Sequence, residues 1–534
     1  MLLVLVVIFL LSVTAYNFSQ RMLTEYEAAV LHAHDVQTRL LADAGVEYVA
    51  TLLANRQQPE YENLYHQPQL FRGVEVSTAD PSAPRGRFTI LTPMITSDGQ
   101  STVRYGLLDE SAKLNLNKLL KLSLTEDQQR DMLLALPGMT EEIADALLDW
   151  LDEDDNPRLY GVETDYYESL SPGYPCRNGP LTSLEELLLV RGVTPELLYG
   201  EDANRNGWLD PSENDGEVSL PYDNADGVLD LGWSAYLTIY SRELNLQTDG
   251  NQRINLNNGI LTDLYDQLAA EFDEDVAKYI VAFRMSGPKD QRPTDSGSST
   301  SLATSTTRGQ QQQAQQQVVQ GLASAAAQAV SAPGGKVTRG GLDLTGGAKY
   351  TIKSVWELID SRCDAMVDGV QQTLTSPWSS SSSDLASLLP TIYDKLTVTP
   401  DLFIEGRINI LQARPEILAG LPGMTDEVLA AIQHAQSITD LSAPSSTSTT
   451  QQTTGWLFLE GYVDIWTMRD LDPLITAGGD VFRAQVLGFL EPRGPVARVE
   501  AVIDGTQQPP RVVFYRDLSD LGRGYARDLL LGTP

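Results

Sequence analysis

The sequence predicts an α+β protein: a long hydrophobic and amphipathic N-terminal helix packed on a small antiparallel sheet, with a large helical domain inserted between the strands. Three observations carry that prediction. The first Gly from Met1 is Gly45 and the first Pro is Pro59, so nothing interrupts a helix over that stretch. Runs with a strand-like period lie near residue 90 and again after Trp456. Between them a phrase repeats. Leu114-Asn115-Leu116-Asn117 with Leu136-Pro137-Gly138-Met139-Thr140 returns as Ile408-Asn409-Ile410 with Leu421-Pro422-Gly423-Met424-Thr425, and its first half recurs at Ile254-Asn255-Leu256-Asn257. An Asn-rich turn that caps an entering helix, then a Pro-Gly bend, reads as a small helical hairpin used repeatedly.

Taken in order, residues 1–57 form the first unit. Leu2 to Leu11 is wholly apolar, and Val13, Ala15 and Phe18 extend it, approaching the roughly 20 residues that cross a bilayer. Met22, Tyr26, Ala29, Ala33, Val36, Leu40, Ala44, Tyr48 and Leu52 then recur at spacings of three and four, one amphipathic stripe. A helix of about 55 residues reaches roughly 80 Å, suited to storage in a membrane followed by packing against like helices. Two other readings stand beside this one: a secretory signal cleaved after Ala15, although no basic residue precedes the apolar run, and a buried helix of a soluble domain.

Residues 58–108 supply the first part of the sheet, with Arg87 to Met94 and Thr102 to Leu108 forming a hairpin around Ser97-Asp98-Gly99. Residues 109–285 read as the inserted helical domain, and 286–340 as a low-complexity Ser/Gln/Ala-rich insertion whose composition cannot support a core. A helical segment with the third hairpin occupies 341–440, with a Ser-rich gap at Ser376 to Ser383, and a Ser/Thr-rich linker covers 441–455. In the antiparallel β region at 456–534, the β-rich runs are Trp456 to Met468, Phe482 to Leu490, Ala497 to Ile503 and Val512 to Tyr515.

Composition excludes several function classes. The formal net charge is -34 over 534 residues, and no Lys or Arg lies between Asp131 and Arg158 or between Pro415 and Arg469, the stretches that hold both Leu-Pro-Gly bends. Nucleic-acid affinity rests largely on cations at phosphates, and here Glu141, Glu142, Asp426 and Glu427 follow the bends instead. The four histidines, His32, His34, His66 and His434, adjoin no nucleophile signature or zinc spacing. Gly340-Gly341 and Gly346-Gly347 lack the residues of a phosphate loop. No enzyme is expected. Cys176 and Cys363 could pair or stay free, with free thiols favoured because they fall in different segments.

One motif does point to a ligand. In Asp202-Ala203-Asn204-Arg205-Asn206-Gly207-Trp208-Leu209-Asp210-Pro211-Ser212-Glu213, the diagnostic places of an EF-hand loop are filled. Asp202, Asn204, Asn206, Asp210 and Glu213 offer side-chain oxygens, Trp208 its carbonyl, and Gly207 permits the sharp turn. Hard oxygen donors select calcium, here expected to be structural. Asp223, Asp226 and Asp230 look like a second, incomplete copy that could furnish another ion or simply be turns. Asp149, Asp152, Asp154 and Asp155 read chiefly as a solvated helix end that could add a ligand.

These parts, in this order, resemble the minor pseudopilin K family of the type II secretion system. The matching text is Leu108-Asp109-Glu110-Ser111-Ala112-Lys113-Leu114-Asn115-Leu116-Asn117, then Ala146-Leu147-Leu148-Asp149-Trp150-Leu151-Asp152, Tyr166-Tyr167, Asn178-Gly179-Pro180-Leu181, Leu184-Glu185-Glu186-Leu187 and Val190-Arg191-Gly192, resumed at Ile254–Asn257. The resemblance implies a pilin-like fold with helix-hairpin-helix/SAM-like repeats inserted, and a non-enzymatic tip subunit that helps initiate or cap a pseudopilus. It also implies calcium in the helical domain, processing by a prepilin peptidase, a single-pass inner-membrane anchor and a periplasmic body. Expected partners are other minor pseudopilins, inner-membrane lipid and the secretion machinery, with no nucleic acid. Leu5 stands where most pseudopilins carry glutamate; the K type resembles this chain in lacking it, which favours a terminal place in a filament. The alternative is a membrane-tethered helix-hairpin-helix nucleic-acid-binding protein of the competence type.

Overall fold

The structure, a computed structural model, describes residues 2–56, 58, 64–76, 84–95, 101–220, 222–289, 337–441, 453–491 and 494–531. One unbroken helix, α1 (Leu2–Ala54), opens the chain. Its first buried side chain is Thr38, and from there Leu41, Ala42, Gly45, Val46, Val49, Leu52 and Leu53 turn inward. The stripe expected from the sequence lies largely beside this face, not on it. Val36 and Leu40 are exposed, as are Met22 and Tyr26, and only Leu52 joins the buried set. The sheet thus selects the face that carries small residues, because a backbone can approach strands closely only there.

The helix lies on an antiparallel sheet made from both ends of the chain. Its strands are β1 (Val74–Val76), β2 (Arg85–Ile95), β3 (Ser101–Arg104), β4 (Leu108–Asp109), β5 (Val481–Glu491), β6 (Val496–Asp504) and β7 (Arg511–Asp517). They run in the order β1-β2-β5-β6-β7, with β3 on β2 and β4 on β5. Val486 stands opposite Ile90 on one side and Val499 on the other. All three are fully buried in the core that α1 closes. Gly488 marks the closest approach: a Cβ there would sit 2.1 Å from the Thr38 carbonyl oxygen and 2.5 Å from the Ala42 nitrogen.

The inserted domain has its own apolar core and is built from three units of one plan. In each, a two-residue strand pairs in parallel with a return strand: Leu114–Asn115 with Leu237–Thr238, Ile254–Asn255 with Leu396–Thr397, and Ile408–Asn409 with Ile475–Thr476. The Asn of each strand accepts the backbone N–H two residues on, from Asn117, Asn257 and Leu411 at 3.1, 2.9 and 3.0 Å. That is the turn geometry that ends each strand, and in the first unit it caps the short helix Leu116–Leu119 directly.

Two helices follow each turn. In the first unit Glu126–Leu134 and Glu141–Leu151 flank Gly138, whose φ of 68° is open to glycine, and Thr140 accepts the Ile143 N–H as the second helix starts. In the third unit Pro415–Ala419 and Asp426–Leu441 flank Gly423 in the same way. The middle unit pairs Leu261–Glu271 with Glu274–Ser286 through Asp273, which caps Val276, and has no Pro-Gly bend.

Several expectations are corrected. Trp456 to Met468 is not a strand: Trp456–Leu459 and Ile465–Leu471 are helices, since Asp464 caps the second and Met468 and Leu471 face the core at helical spacing. The segment 341–440 contains a β-hairpin, Arg362–Val367 with Val370–Thr375, turning at Asp368-Gly369, both with positive φ. Leu108 leaves the hairpin to pair with Arg483 of β5. The expected turn at 97–99 and most of the Gln/Ser-rich and Ser/Thr-rich stretches fall outside the described residues. Cys176 and Cys363 are both buried free thiols.

Candidate functional site

The two bodies meet at the junction of β4 with the first unit, where the charges are internal. Asp109 accepts the Ser111 N–H at 2.8 Å, the Gly479 N–H at 2.6 Å and Asn409 Nδ2 at 2.8 Å. One buried carboxylate thereby joins the first and third units, and burial raises it to about 6. Beside it Glu110 pairs with Arg483 at 2.6 Å, and Arg483 reaches Glu500 at 3.1 Å. Two strands of the sheet are so fastened to the insert by a charge network inside the protein.

The expected calcium loop docks on the same sheet. Arg498 of β6, fully buried, donates to the Asn204 carbonyl, Gln485 Nε2 donates to the Arg205 carbonyl at 2.8 Å, and Asn206 Nδ2 donates to the Gly524 carbonyl at 2.9 Å. Arg205 and Gly207 hold φ of 59° and 67°, curling the loop around its carboxylates. Asp202 accepts the Asn206 and Gly207 N–H groups at 2.9 and 2.8 Å. Glu213 spans the loop, its two oxygens taking Ala203 N–H at 2.9 Å and Asp210 N–H at 3.0 Å. Asp210 accepts both Asn204 Nδ2 and Asn206 Nδ2. Trp208 donates its N–H to Asn206 Oδ1 at 2.6 Å. Burial pushes the Asp202 carboxyl up to about 6 and raises that of Glu213. Asn204 Oδ1 is buried without a hydrogen-bond partner. Buried carboxylates held back from ionising, with an orphaned amide oxygen beside them, put a set of hard oxygen donors in one loop.

The second acidic stretch copies part of this pattern with two places filled from elsewhere in the chain, and Asn214 Oδ1 takes the Gly227 N–H as Asp202 takes that of Gly207. Asp226 N–H donates to Asn224 Oδ1, Val228 N–H to Asp226 Oδ1 and Asn224 Nδ2 to Asp230. The spanning carboxylate is Glu201, upstream in sequence, which accepts Asn224 N–H at 3.3 Å and Asp230 N–H at 3.2 Å. Asp223 is turned away: its oxygens take the N–H groups of Asp215, Gly216 and Ala225.

The group after Trp150 is not a solvated helix end. Asp149 is wholly buried, Asp152 is half-buried, and their carboxylate oxygens lie within 4.8 Å of one another and of Glu163. Arg158 pairs with Asp149 at 2.6 Å and Asp152 at 2.5 Å. Burial, then Asp149 and Asp152, push Glu163 up to about 7, against a hydrogen bond from the Cys176 thiol. Gly161 makes room, since a Cβ there would lie 1.8 Å from Asp149 Oδ2. Asp154 and Asp155 stay exposed, bonded to Asn156 and to Thr164 and Asn178. Nothing in spacing signals Glu163; only the fold brings it back to the helix end.

A long helix whose apolar first third is bare is seated by its last turns on an antiparallel sheet that is interrupted by a helical domain, and parts of this chain are similar to known proteins. Residues 112–199 match the family model described as "Type II secretion system (T2SS), protein K". Type II secretion system protein K of Klebsiella pneumoniae is 28% identical over 206 residues, covering 37% of this chain and 58% of that protein. The protein K of Pseudomonas aeruginosa is 36% identical over 109 residues, 19% of this chain and 32% of that protein. The chain thus spans less than two thirds of these relatives' lengths. The crystal structure of the GspK-GspI-GspJ complex from enterotoxigenic Escherichia coli aligns over 93% of this chain and 99% of that one, at 12% identity and a TM-score of 0.29, too distant a superposition to bear on the arrangement.

Proposed function

We propose that this chain is a non-enzymatic tip subunit of a type II secretion pseudopilus, helping to initiate or cap the filament. The observation that carries the reading is α1: 53 residues without a break, with no side chain buried before Thr38. Leu2 to Phe18 would lie in the inner membrane and later among the helices of other minor pseudopilins, while the body stays in the periplasm. The exposed stripe of Met22, Tyr26, Val36 and Leu40 suits a partner helix, since the body uses the neighbouring face. The paired helices around Gly138 and Gly423 are read as helix-hairpin-helix/SAM-like repeats turned to protein packing. Glu141, Glu142, Asp426 and Glu427 beside the bends oppose the nucleic-acid alternative.

Calcium belongs to this reading as a structural ion. Asp202, Asn204, Asn206, Trp208, Asp210 and Glu213 would hold one; Asn224, Asp226 and Asp230 with Glu201 would form a second place, with Asp223 beside it taking the N–H groups of Asp215, Gly216 and Ala225. Asp149, Asp152 and Glu163 offer a further cluster. Bound calcium would screen these buried carboxylates and make binding energy available to folding.

The test of the tip reading is deletion of residues 2–18. The truncated chain should leave the membrane fraction, fail to co-purify with other minor pseudopilins and fail to restore secretion. Membrane-bound, partner-bound behaviour without those residues would refute it.

A further inference from the structure

Between the sheet and the inserted domain lies a cleft of about 320 Å³ whose charge runs against that of the chain. The protein carries a net charge of -34, yet the cleft is lined by Arg104, Lys113, Arg205, Arg414, Arg483 and Arg516 against only Glu185, Asp202 and Glu500. Those three carboxylates are engaged: Glu185 by Arg516, Glu500 by Arg483 and Asp202 by its own loop's amides. Among the described residues, no carboxylate lies within ion-pairing distance of Lys113, Arg205 or Arg414. Arg205 lies 4.5 Å over the Tyr199 ring and Arg414 5.6 Å over that of Tyr236. A guanidinium stacked on a ring keeps its fork of N–H donors free for a planar anion.

Lys113 sharpens the point. It is 5% exposed, and its ammonium donates to the Ser234 carbonyl at 2.9 Å. Burial, and Arg483 and Arg414 nearby, bring its pKa down to about 8, against the pull of Glu110 and Glu500. A buried ammonium that has one neutral hydrogen-bond acceptor, and whose attraction to Glu110 and Glu500 is offset by burial and by Arg483 and Arg414, is costly. Leu91, Met94, Leu198, Tyr240 and Phe514 give the wall apolar and aromatic stretches, beside the uncharged polar Thr92, Ser234, Gln412, Gln436 and Gln485. That volume and that mix of a greasy wall with a few convergent polar groups describe a small-ligand site.

We propose that this cleft binds a carboxylate-bearing ligand with an aromatic or aliphatic body, the carboxylate seated between Lys113 and Arg414 and the body against the Tyr240 and Phe514 side. The carboxylate can belong to a free small acid or to an acidic side chain beside an aromatic one in a peptide. The proposal does not depend on the secretion or calcium readings.

Calorimetric titration of the full chain in detergent micelles with calcium tests it, using 3-phenylpropionate, 3-phenylpropan-1-ol, inorganic phosphate and the blocked dipeptide acetyl-Phe-Asp-amide. At least one of the two carboxylates should bind one-to-one, with the alcohol and phosphate weaker by roughly tenfold or more. Arg414→Gln should weaken that carboxylate by a similar factor while leaving the melting temperature unchanged, because Arg414 packs at a half-exposed helix start. Lys113→Met should abolish binding, and Arg414→Gln keeps the test decisive if that variant does not fold. The tighter of the two carboxylates identifies the source. Equal binding of acid and alcohol, an unaffected Arg414→Gln, or no binding of either carboxylate would overturn the proposal.

Discussion

Where α1 crosses the sheet, Ala42, Val46 and Val49 share one core with Val486 and Val499, and glycines stand at the closest approaches. Each unit of the inserted domain is closed instead by an asparagine and a strand of only two residues. The body has long strands whose ladders satisfy their own backbone, so close packing seats the helix, with Arg39–Asp517 and Tyr515–Asp43 contacts at the edge strand. The insert has little ladder, and its irregular backbone must find side-chain partners or water. Sheet and helix should therefore be sensitive to volume, and the insert to lost polar partners and to ions.

The sharpest way to break that contrast is Gly488→Val. Its side chain would enter the backbone of α1 at Thr38 and Ala42, so we expect a loss of about 3 kcal/mol or more and release of the helix from the sheet. Gly346→Val, in the insert with nothing within 4 Å of its Cβ position, should be close to neutral. Denaturant unfolding of both variants checks this. Equal stability of the two would mean that α1 does not rest on β5 as described.

Removing calcium should act on the insert, and pH should give the effect its sign. An ion present at about 100 times its dissociation constant contributes roughly 2.7 kcal/mol, so chelation should lower the melting temperature by several degrees. In chelator, Asp202 and Glu163 titrate near 6 and 7 because burial raises them. Protonation in the folded state then stabilises at acid pH, and that contribution is lost as pH rises from the unfolded carboxylate range of about 4 through those values. With calcium, which requires the ionised carboxylates, stability should instead rise over the same window. Asp109, also near 6, is common to both conditions and cancels in the difference. Parallel pH profiles with and without calcium would count against an ion in either place.

How much of this could be read in the sequence follows from the same contrast. The helix, β2 and β5 to β7 announce themselves because each is long and repeats one period; only the buried stripe of α1 was misjudged, since small residues at close contact look less hydrophobic than Leu40 or Tyr26. The Asp202 loop was visible because its donors are contiguous. Glu201 and Glu163 were not, as each acts on residues that only the fold brings near. The middle unit hid its helix pair by lacking Pro-Gly. Trp456 to Met468 misled because a short apolar run has no decisive period, and Asp464 was the unnoticed helix signal. Leu237-Thr238, Leu396-Thr397 and Ile475-Thr476 are a repeat in plain view, but their meaning depends on parallel partners far away in sequence.

A smaller effect isolates what the asparagines do. Asn117 both donates to the Leu181 carbonyl at 3.0 Å and accepts the Leu181 N–H at 2.7 Å, and Asn257 brackets Ile352 in the same way. In the third unit the corresponding residue is Leu411, so that unit folds without the bracket. Asn117→Ala strands two backbone groups of buried Leu181 and should cost about 2 kcal/mol, less where water reaches them. Asn117→Asp keeps the acceptor, loses the donor and should fall between the two. Because the first unit also carries the Asp202 loop, the destabilisation should be larger in chelator than in calcium if ion and asparagine hold one cooperative unit. If the two losses simply add, the loop and the bracket are independent fastenings, and the insert is then stabilised piece by piece.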